Sequence, residues 1–303
     1  MMLSREIDYF LLVCDYRNIA KAADELGMSQ SALTRAIQRL ESQLGTTLFV
    51  RTSRGVEPTP VGEVLRKHSE HARVAMQDAE HEITQMTAGL RGRIRIGVGQ
   101  TLARHISQRL LSRLIHDRPG ARIQIQVAFS AELFELVEAG ALDFAVTGLP
   151  DVLPANLLAR PLTQIEMCVV VRSGHPLTKI AAPGISDLLP YRSAAPRQDV
   201  HARRVAEQIL ASHGSDLHHV MLESNSWETM LETVSSTDLF TLAPWYHDFE
   251  QQWAGRLQRI DIPELTRQQT IGLVQRQDAY VSSLAERAMA LLMSGEWSLP
   301  PEQ

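Results

Sequence analysis

Residues 18–41 read NIAKAADELGMSQSALTRAIQRLE, and two amphipathic segments meet in this stretch at Gly27. The first begins at Asn18, a good N-cap, and carries Ile19, Ala20, Ala22, Ala23 and Leu26. Gly27 permits the positive φ that ends a helix in a tight turn, and Ser29 is placed to cap the next segment. Two helices joined by a short glycine-containing turn form a helix-turn-helix.

In the second segment Leu33, Ile37, Leu40 and Leu44 recur at steps of 4, 3 and 4 residues and project on one face. Ser31, Arg35, Gln38 and Ser42 point the opposite way, with Thr34 on the flank. Hydroxyls, an amide and a guanidinium can reach base edges and phosphates in a major groove. The competing reading of this helix alone is an ordinary solvated face. From Ser29 to Arg54 there are four arginines (Arg35, Arg39, Arg51, Arg54) and one acid, Glu41, so positive charge is focused here. The next residues, 44–62, read LGTTLFVRTSRGVEPTPVG, two short strands around a polar turn and then a fresh helix start.

At this point the chain resembles the LysR-type transcriptional regulators. The resemblance rests on Ala22-Ala23, Leu26, Ser29-Gln30-Ser31, Leu40-Glu41, Leu44-Gly45, Leu48-Phe49-Val50-Arg51 and Thr59-Pro60-Val61-Gly62. It extends over the whole length and is tightest over residues 3–65. Asn18 stands where the family usually has Ser, and Ser31 where many members have Pro; neither alters the helix starts. The resemblance implies an α+β chain: an N-terminal winged helix-turn-helix, a long linker helix, and a two-lobed α/β effector-binding domain resembling periplasmic binding proteins. The expected boundaries are 1–58, 59–90 and 91–303, with lobe one from 91–162 plus 267–303 and lobe two from 163–266. It implies double-stranded operator DNA, a small-molecule effector, a homodimer or homotetramer, and RNA polymerase as partners. The expected DNA-contacting set is Asn18, Lys21, Ser29, Gln30, Ser31, Thr34, Arg35 and Gln38, with Arg51, Ser53 and Arg54 from the wing.

Composition sets the outer limits. With 303 residues the chain has room for two or three domains, and 44% hydrophobic and 21% charged residues are ordinary for a globular protein. No apolar run approaches the roughly 18 residues of a membrane span, and the N-terminus lacks a signal-peptide apolar core, so no membrane partner and a cytoplasmic location are expected. The net charge of −5 excludes a generic nucleic-acid coat and confines contact to the basic patch. Cys14 and Cys168 are far apart in apolar contexts, which points to buried, inert thiols rather than a disulfide.

Arg5 to Tyr16 carries Ile7, Phe10, Leu11, Val13 and Cys14 on a helical stripe. Thr59-Pro60 opens a long helix, a hydroxyl cap followed by proline at the first helical position. Val61, Leu65, Ala72, Met76, Ala79 and Ile83 form a narrow apolar seam along it, which the resemblance identifies as a dimerising face. Packing on the chain's own regulatory domain is the alternative. His68, His71 and His81 lie on this helix without the four-residue spacing of two metal ligands, so no metal and no cofactor are expected.

Beyond Arg91 strands alternate with helices: Ile94, Ile96 and Val98, then Ile123, Ile125 and Val127, then 142–147, each next to a helical segment. A second unit holds strands at 167–171, 192–195, 220–223 and 239–243, and the chain closes with a strand at 270–275 and a helix at 279–293. Repeated βαβ units make an α/β sheet. Such sheets bind ligands at strand carboxyl ends, where helix N-termini present amides. Gln100, Thr101, Ser130 and Thr147 occupy these places, and Arg197, Gln198, Ser224 and Asn225 offer facing groups. Donors at helix starts with an arginine nearby suit a carboxylate, whereas the plain alternative is a set of ordinary helix caps.

An enzyme is disfavoured because no Gly-x-Ser-x-Gly elbow, dinucleotide turn, P-loop or His-Glu-x-x-His helix occurs, so no catalytic residue is assigned. A redox-type sensor would need a cysteine pair in the regulatory region, which has only Cys168. A family member acting without a small effector stays open, while a solute-binding protein does not fit the first 90 residues.

Overall fold

The structure, a computed structural model, describes residues 5–53, 55–88, 92–198, 200–214 and 220–294. It separates into two compact units, 1–84 and 85–303.

In the first unit α1 (Arg5–Tyr16), α2 (Ile19–Glu25) and α3 (Gln30–Leu44) precede a hairpin of β1 (Phe49–Thr52) and β2 (Gly55–Pro58), and α4 (Pro60–Ala88) follows. Asn18 Oδ1 accepts from the amides of Ala20 and Lys21, and Ser29 Oγ accepts from that of Ala32, so both cap positions form as the sequence implies. Gly27 and Gly45 sit at φ of 62° and 68°. Phe10, Val13, Ala22, Leu33, Ile37, Leu40 and Leu48 make one core. Leu44 departs from the expected stripe: it is 49% exposed, because the helix ends there and its last turn overhangs the core.

The wing is held by named backbone contacts. Glu41 Oε1 accepts from the Leu48 amide at 2.7 Å, and the Val56 amide donates to the Arg17 carbonyl at 3.0 Å. Thr59 Oγ1 donates to the Thr47 carbonyl and accepts from the Gly62 amide, capping α4 and tying it to the wing.

In the second unit β3 (Arg93–Gly99) leads through a 3-10 turn (Gln100–Leu102) into α5 (Ala103–Ile106), a π-helical turn and α6 (Ser112–Asp117). Then come β4 (Arg122–Ala128), α7 (Ser130–Glu138), β5 (Phe144–Gly148), β6 (Leu157–Arg172), α8 (Ile185–Leu188), β7 (Ser193–Ala195), α9 (His201–Ser212) and β8 (Val220–Glu223). The unit closes with α10 (Trp227–Ser235), β9 (Thr241–Trp245), α11 (His247–Gln252), β10 (Leu257–Ile260), β11 (Arg267–Arg276) and α12 (Ser283–Met293). The main sheet runs β10-β6-β11-β5-β3-β4, and β9 also pairs with β6. β3, β4 and β5 are parallel, whereas β6 and β11 form a long antiparallel ribbon that joins the two lobes.

That ribbon differs from the sequence reading. The expected strand at 167–171 is only the end of the 16-residue β6, and β11 reaches back to Arg267. Pro161 and the polar Thr163 and Gln164 break its apolar pattern, which hid the first half. β10 was not anticipated either. Residues 167–171 in β6 are buried or nearly so, as befits a strand between β9 and β10.

Candidate functional site

In the first unit, Gln30, Ser31, Arg35, Gln38, Arg39 and Ser42 are exposed together along α3, while Leu33, Ala36, Ile37 and Leu40 are buried beneath them. Ser29 and Lys21 are also exposed, and Asn18 is half-buried as a cap. Thr34 is half-buried, and its hydroxyl donates to the Gln30 carbonyl at 2.8 Å, leaving only its lone pairs to accept. Arg51 and Ser53 are exposed on the wing; Arg54 lies outside the described residues. The arrangement is a helix with a polar outer face carrying Arg35 and Arg39, beside a hairpin that exposes Arg51.

On α4 Leu65 packs against the winged core, so it does not project outward as the seam reading has it. Ala72, Met76 and Ala79 are half-buried. Val61, Val64 and Ile83 are 47%, 58% and 61% exposed, and His68 and Ala75 are exposed as well. The outward stripe is therefore Val61, Val64, His68, Ala72, Ala75, Ala79 and Ile83, again at steps of three and four residues.

The second unit contains a cavity of about 570 Å³ between its lobes. Gln100, Thr101, Ser130 and Thr147 line it; Arg197, Gln198, Ser224 and Asn225 do not. Ser130 Oγ and Thr147 Oγ1 are 2.8 Å apart, and Ser130 is the first residue of α7, whose opening amides have no carbonyl within the helix to meet. Gln100 is engaged at both ends of its amide: Nε2 donates to the Asn225 carbonyl at 2.5 Å and Oε1 accepts from the Trp227 amide at 2.9 Å. It is a strut between the lobes. Tyr246 adds a second strut, its hydroxyl donating to the Thr101 carbonyl at 2.8 Å. Burial pushes the Tyr246 phenol up to about 12, so it remains a donor at neutral pH. His105 Nδ1 and Asp248 Oδ2, 2.8 Å apart, make a third.

Sequence reasoning missed Arg203 and Arg204, which line the cavity from α9. Arg203 is buried and committed: Nε meets Glu207 at 2.7 Å, and Nη1 meets Glu223 at 2.5 Å and the Pro196 carbonyl at 2.6 Å. Arg204 is exposed, with no ion-pair partner among the described residues. The spacing Arg203-x-x-x-Glu207 was a legible i,i+4 pair, but nothing in it indicated that it faces a cavity.

Residues 87–295 match the family model described as the LysR substrate binding domain, and residues 4–63 match that of the bacterial regulatory helix-turn-helix proteins of the lysR family. The chain belongs to the LysR family. It is a DNA-binding transcriptional regulator with an effector-binding domain, and its relatives are regulators rather than enzymes. The regulator GbpR of Azospirillum brasilense is 30% identical over 240 residues, covering 78% of this chain and 70% of that protein. GalR of Pseudomonas putida is 26% identical over 296 residues, covering 95% and 73%. Among solved structures, full-length CbnR in complex with its target DNA shares the fold, with a TM-score of 0.60 at 17% identity over 97% of this chain and 99% of that one.

Both cysteines of this LysR-family chain are buried, Cys168 fully and Cys14 to 2% exposure. Burial pushes the Cys14 thiol up to about 12, far from the thiolate that cysteine redox chemistry requires. No helix among the described residues is long and apolar enough to cross a membrane.

Proposed function

We propose that a small carboxylate effector binds between the two lobes and sets the geometry in which the winged units meet the operator. The observation that carries this reading is the cavity itself, walled by both lobes, with the paired Ser130 and Thr147 hydroxyls and the open amides of α7 at one end. A carboxylate placed there gains the one hydroxyl proton that the Ser130–Thr147 bond leaves over and the positive end of the helix. Thr101, at the carboxyl end of β3, adds a third hydroxyl to the same lining. The Gln100, Tyr246 and His105 struts cross from one lobe to the other, so a ligand that alters lobe separation alters these contacts too. A tenfold shift between two arrangements needs about 1.4 kcal/mol of differential binding.

On the DNA side, Gln30, Ser31, Thr34 and Arg35 read bases or adjacent phosphates, Gln38 works at the edge, and Arg51 and Ser53 hold the backbone. The chain acts as a dimer or a dimer of dimers through the α4 stripe, in the cytoplasm, where it influences RNA polymerase at its target promoter. Reduced, buried Cys14 and Cys168 accord with that compartment.

The effector test is calorimetry with a carboxylate found by thermal shift, in which saturation at 100 times the dissociation constant stabilises by about 2.7 kcal/mol. Thr101→Val and Ser130→Ala are each expected to weaken binding about tenfold, or ~1.4 kcal/mol, while operator binding without ligand stays unchanged. Wild-type affinity in both variants places the effector elsewhere.

A further inference from the structure

Building on the cleft reading above, we infer that the effector is amphipathic, an anionic head carried on an extended apolar body, and not a small polar acid. Three features of the cavity lead there.

Its size comes first. About 570 Å³ lies within the range of roughly 300–1,000 Å³ typical of sites for drug-sized ligands. An acid of two to four carbons leaves most of that space to water.

The second feature is the wall. Phe134, Met167, Leu210, Trp227, Phe240 and Ile271 approach from both lobes, with smaller apolar side chains between them. Water against such a surface is displaced favourably by hydrocarbon.

The third is how few polar groups remain uncommitted. Arg203 is consumed by Glu207, Glu223 and the Pro196 carbonyl, and Gln269 Nε2 donates to the Leu149 carbonyl at 2.9 Å. Gln100 is spent on Asn225 and Trp227. Arg204, Asp151 and the hydroxyls of Thr101, Ser193 and Thr241 complete the polar lining, so a polyhydroxylated acid would still bury several of its hydroxyls against apolar wall, each at a cost. The hydroxyl pair at the head of α7 accommodates one anionic group, and the apolar wall opposite it accommodates carbon.

The experiment is titration calorimetry of the full chain with unbranched monocarboxylates from butanoate to decanoate, with succinate and gluconate as small polar acids and octanamide as the neutral counterpart of octanoate. Affinity is expected to rise about fourfold per added methylene until the cavity is full. Succinate and gluconate should bind at least a hundredfold more weakly than decanoate, and octanamide at least tenfold more weakly than octanoate. Ala206 lines the cavity from α9 outside the head region. Ala206→Phe should weaken decanoate at least tenfold and leave butanoate unchanged; Ala206→Leu is the milder companion if the larger side chain unfolds the unit.

Tighter binding of succinate or gluconate than of octanoate overturns the apolar body and leaves the carboxylate cleft standing. Equal binding of octanamide and octanoate overturns the anionic head. An unchanged methylene increment in both Ala206 variants shows that the hydrocarbon lies elsewhere. If no acid in the series binds, the cleft reading falls with the inference.

Discussion

Gly62→Ala is expected to destabilise the winged unit by about 3 kcal/mol, with a fall in its melting temperature of roughly 12 °C or more. A Cβ built at Gly62 would lie 2.3 Å from the Leu48 carbonyl oxygen and 3.2 Å from Pro58 Cβ. The first obstacle is backbone, in the strand entry that Glu41 and Thr59 anchor by hydrogen bonds, so it cannot swing aside. The first turn of α4 must back away from the wing, which breaks the Thr59 cap on the Gly62 amide as well. Operator binding should weaken in step, because the wing carries Arg51 and Ser53. Gly45→Ala, where a Cβ meets nothing within 4 Å but φ is 68°, should cost only about 1 kcal/mol. Melting curves of the two variants decide it. Equal, small losses would show that the tight approach of α4 to the wing is not what holds the unit together.

The double variant Val64→Asp with Ile83→Asp is expected to give a monomer that has lost tight operator binding. Both side chains lie on the outward stripe of α4 and are more than half exposed, so the charges should not disturb the fold of one chain. Across a two-fold interface each would face apolar side chains of the second copy. Two tethered winged units gain roughly 10²–10⁴ in affinity over one on an inverted repeat, and that factor is what the monomer forfeits. Sedimentation reads the assembly and fluorescence anisotropy reads the DNA. An intact dimer in the double variant would mean that α4 is not the main interface. Leu65→Asp is the wrong probe, since Leu65 belongs to the winged core.

The winged unit was legible because its signals are local. Asn18, Gly27, Ser29 and Thr59-Pro60 each fix a helix end through their own chemistry, and each does so in the structure. The period of Leu33, Ile37 and Leu40 gave the buried face of α3. On α4, Val61, Ala72, Ala79 and Ile83 of the expected seam lie on the outward stripe, whereas Leu65 packs inward and Val64 stands in its place. Leu65 is as apolar as Val64, and only packing against the winged core decides which of them faces out. In the regulatory unit, strand ends that open onto the cavity were readable at Thr101, Ser130 and Thr147. The facing lobe was not. Arg197 lies in the loop before α9 and Arg204 in its first turn, and only the second lines the cavity. Gln100 showed the reverse limit: its position was found, but sequence could not show that Asn225 and Trp227 already occupy its amide.

The most direct test of α3 as the element that reads DNA is fluorescence anisotropy of Arg35→Ala and Arg51→Ala on the operator and on a random duplex, across a range of salt. Arg35 is exposed on the outer face of α3, and Arg51 on the wing. Arg35→Ala should weaken operator binding by roughly 1–3 kcal/mol and narrow the gap between operator and random sequence. Arg51→Ala should weaken both duplexes alike and reduce the salt slope by about 1. Operator binding that is unchanged in Arg35→Ala, with its preference over random sequence intact, would contradict the assignment of α3.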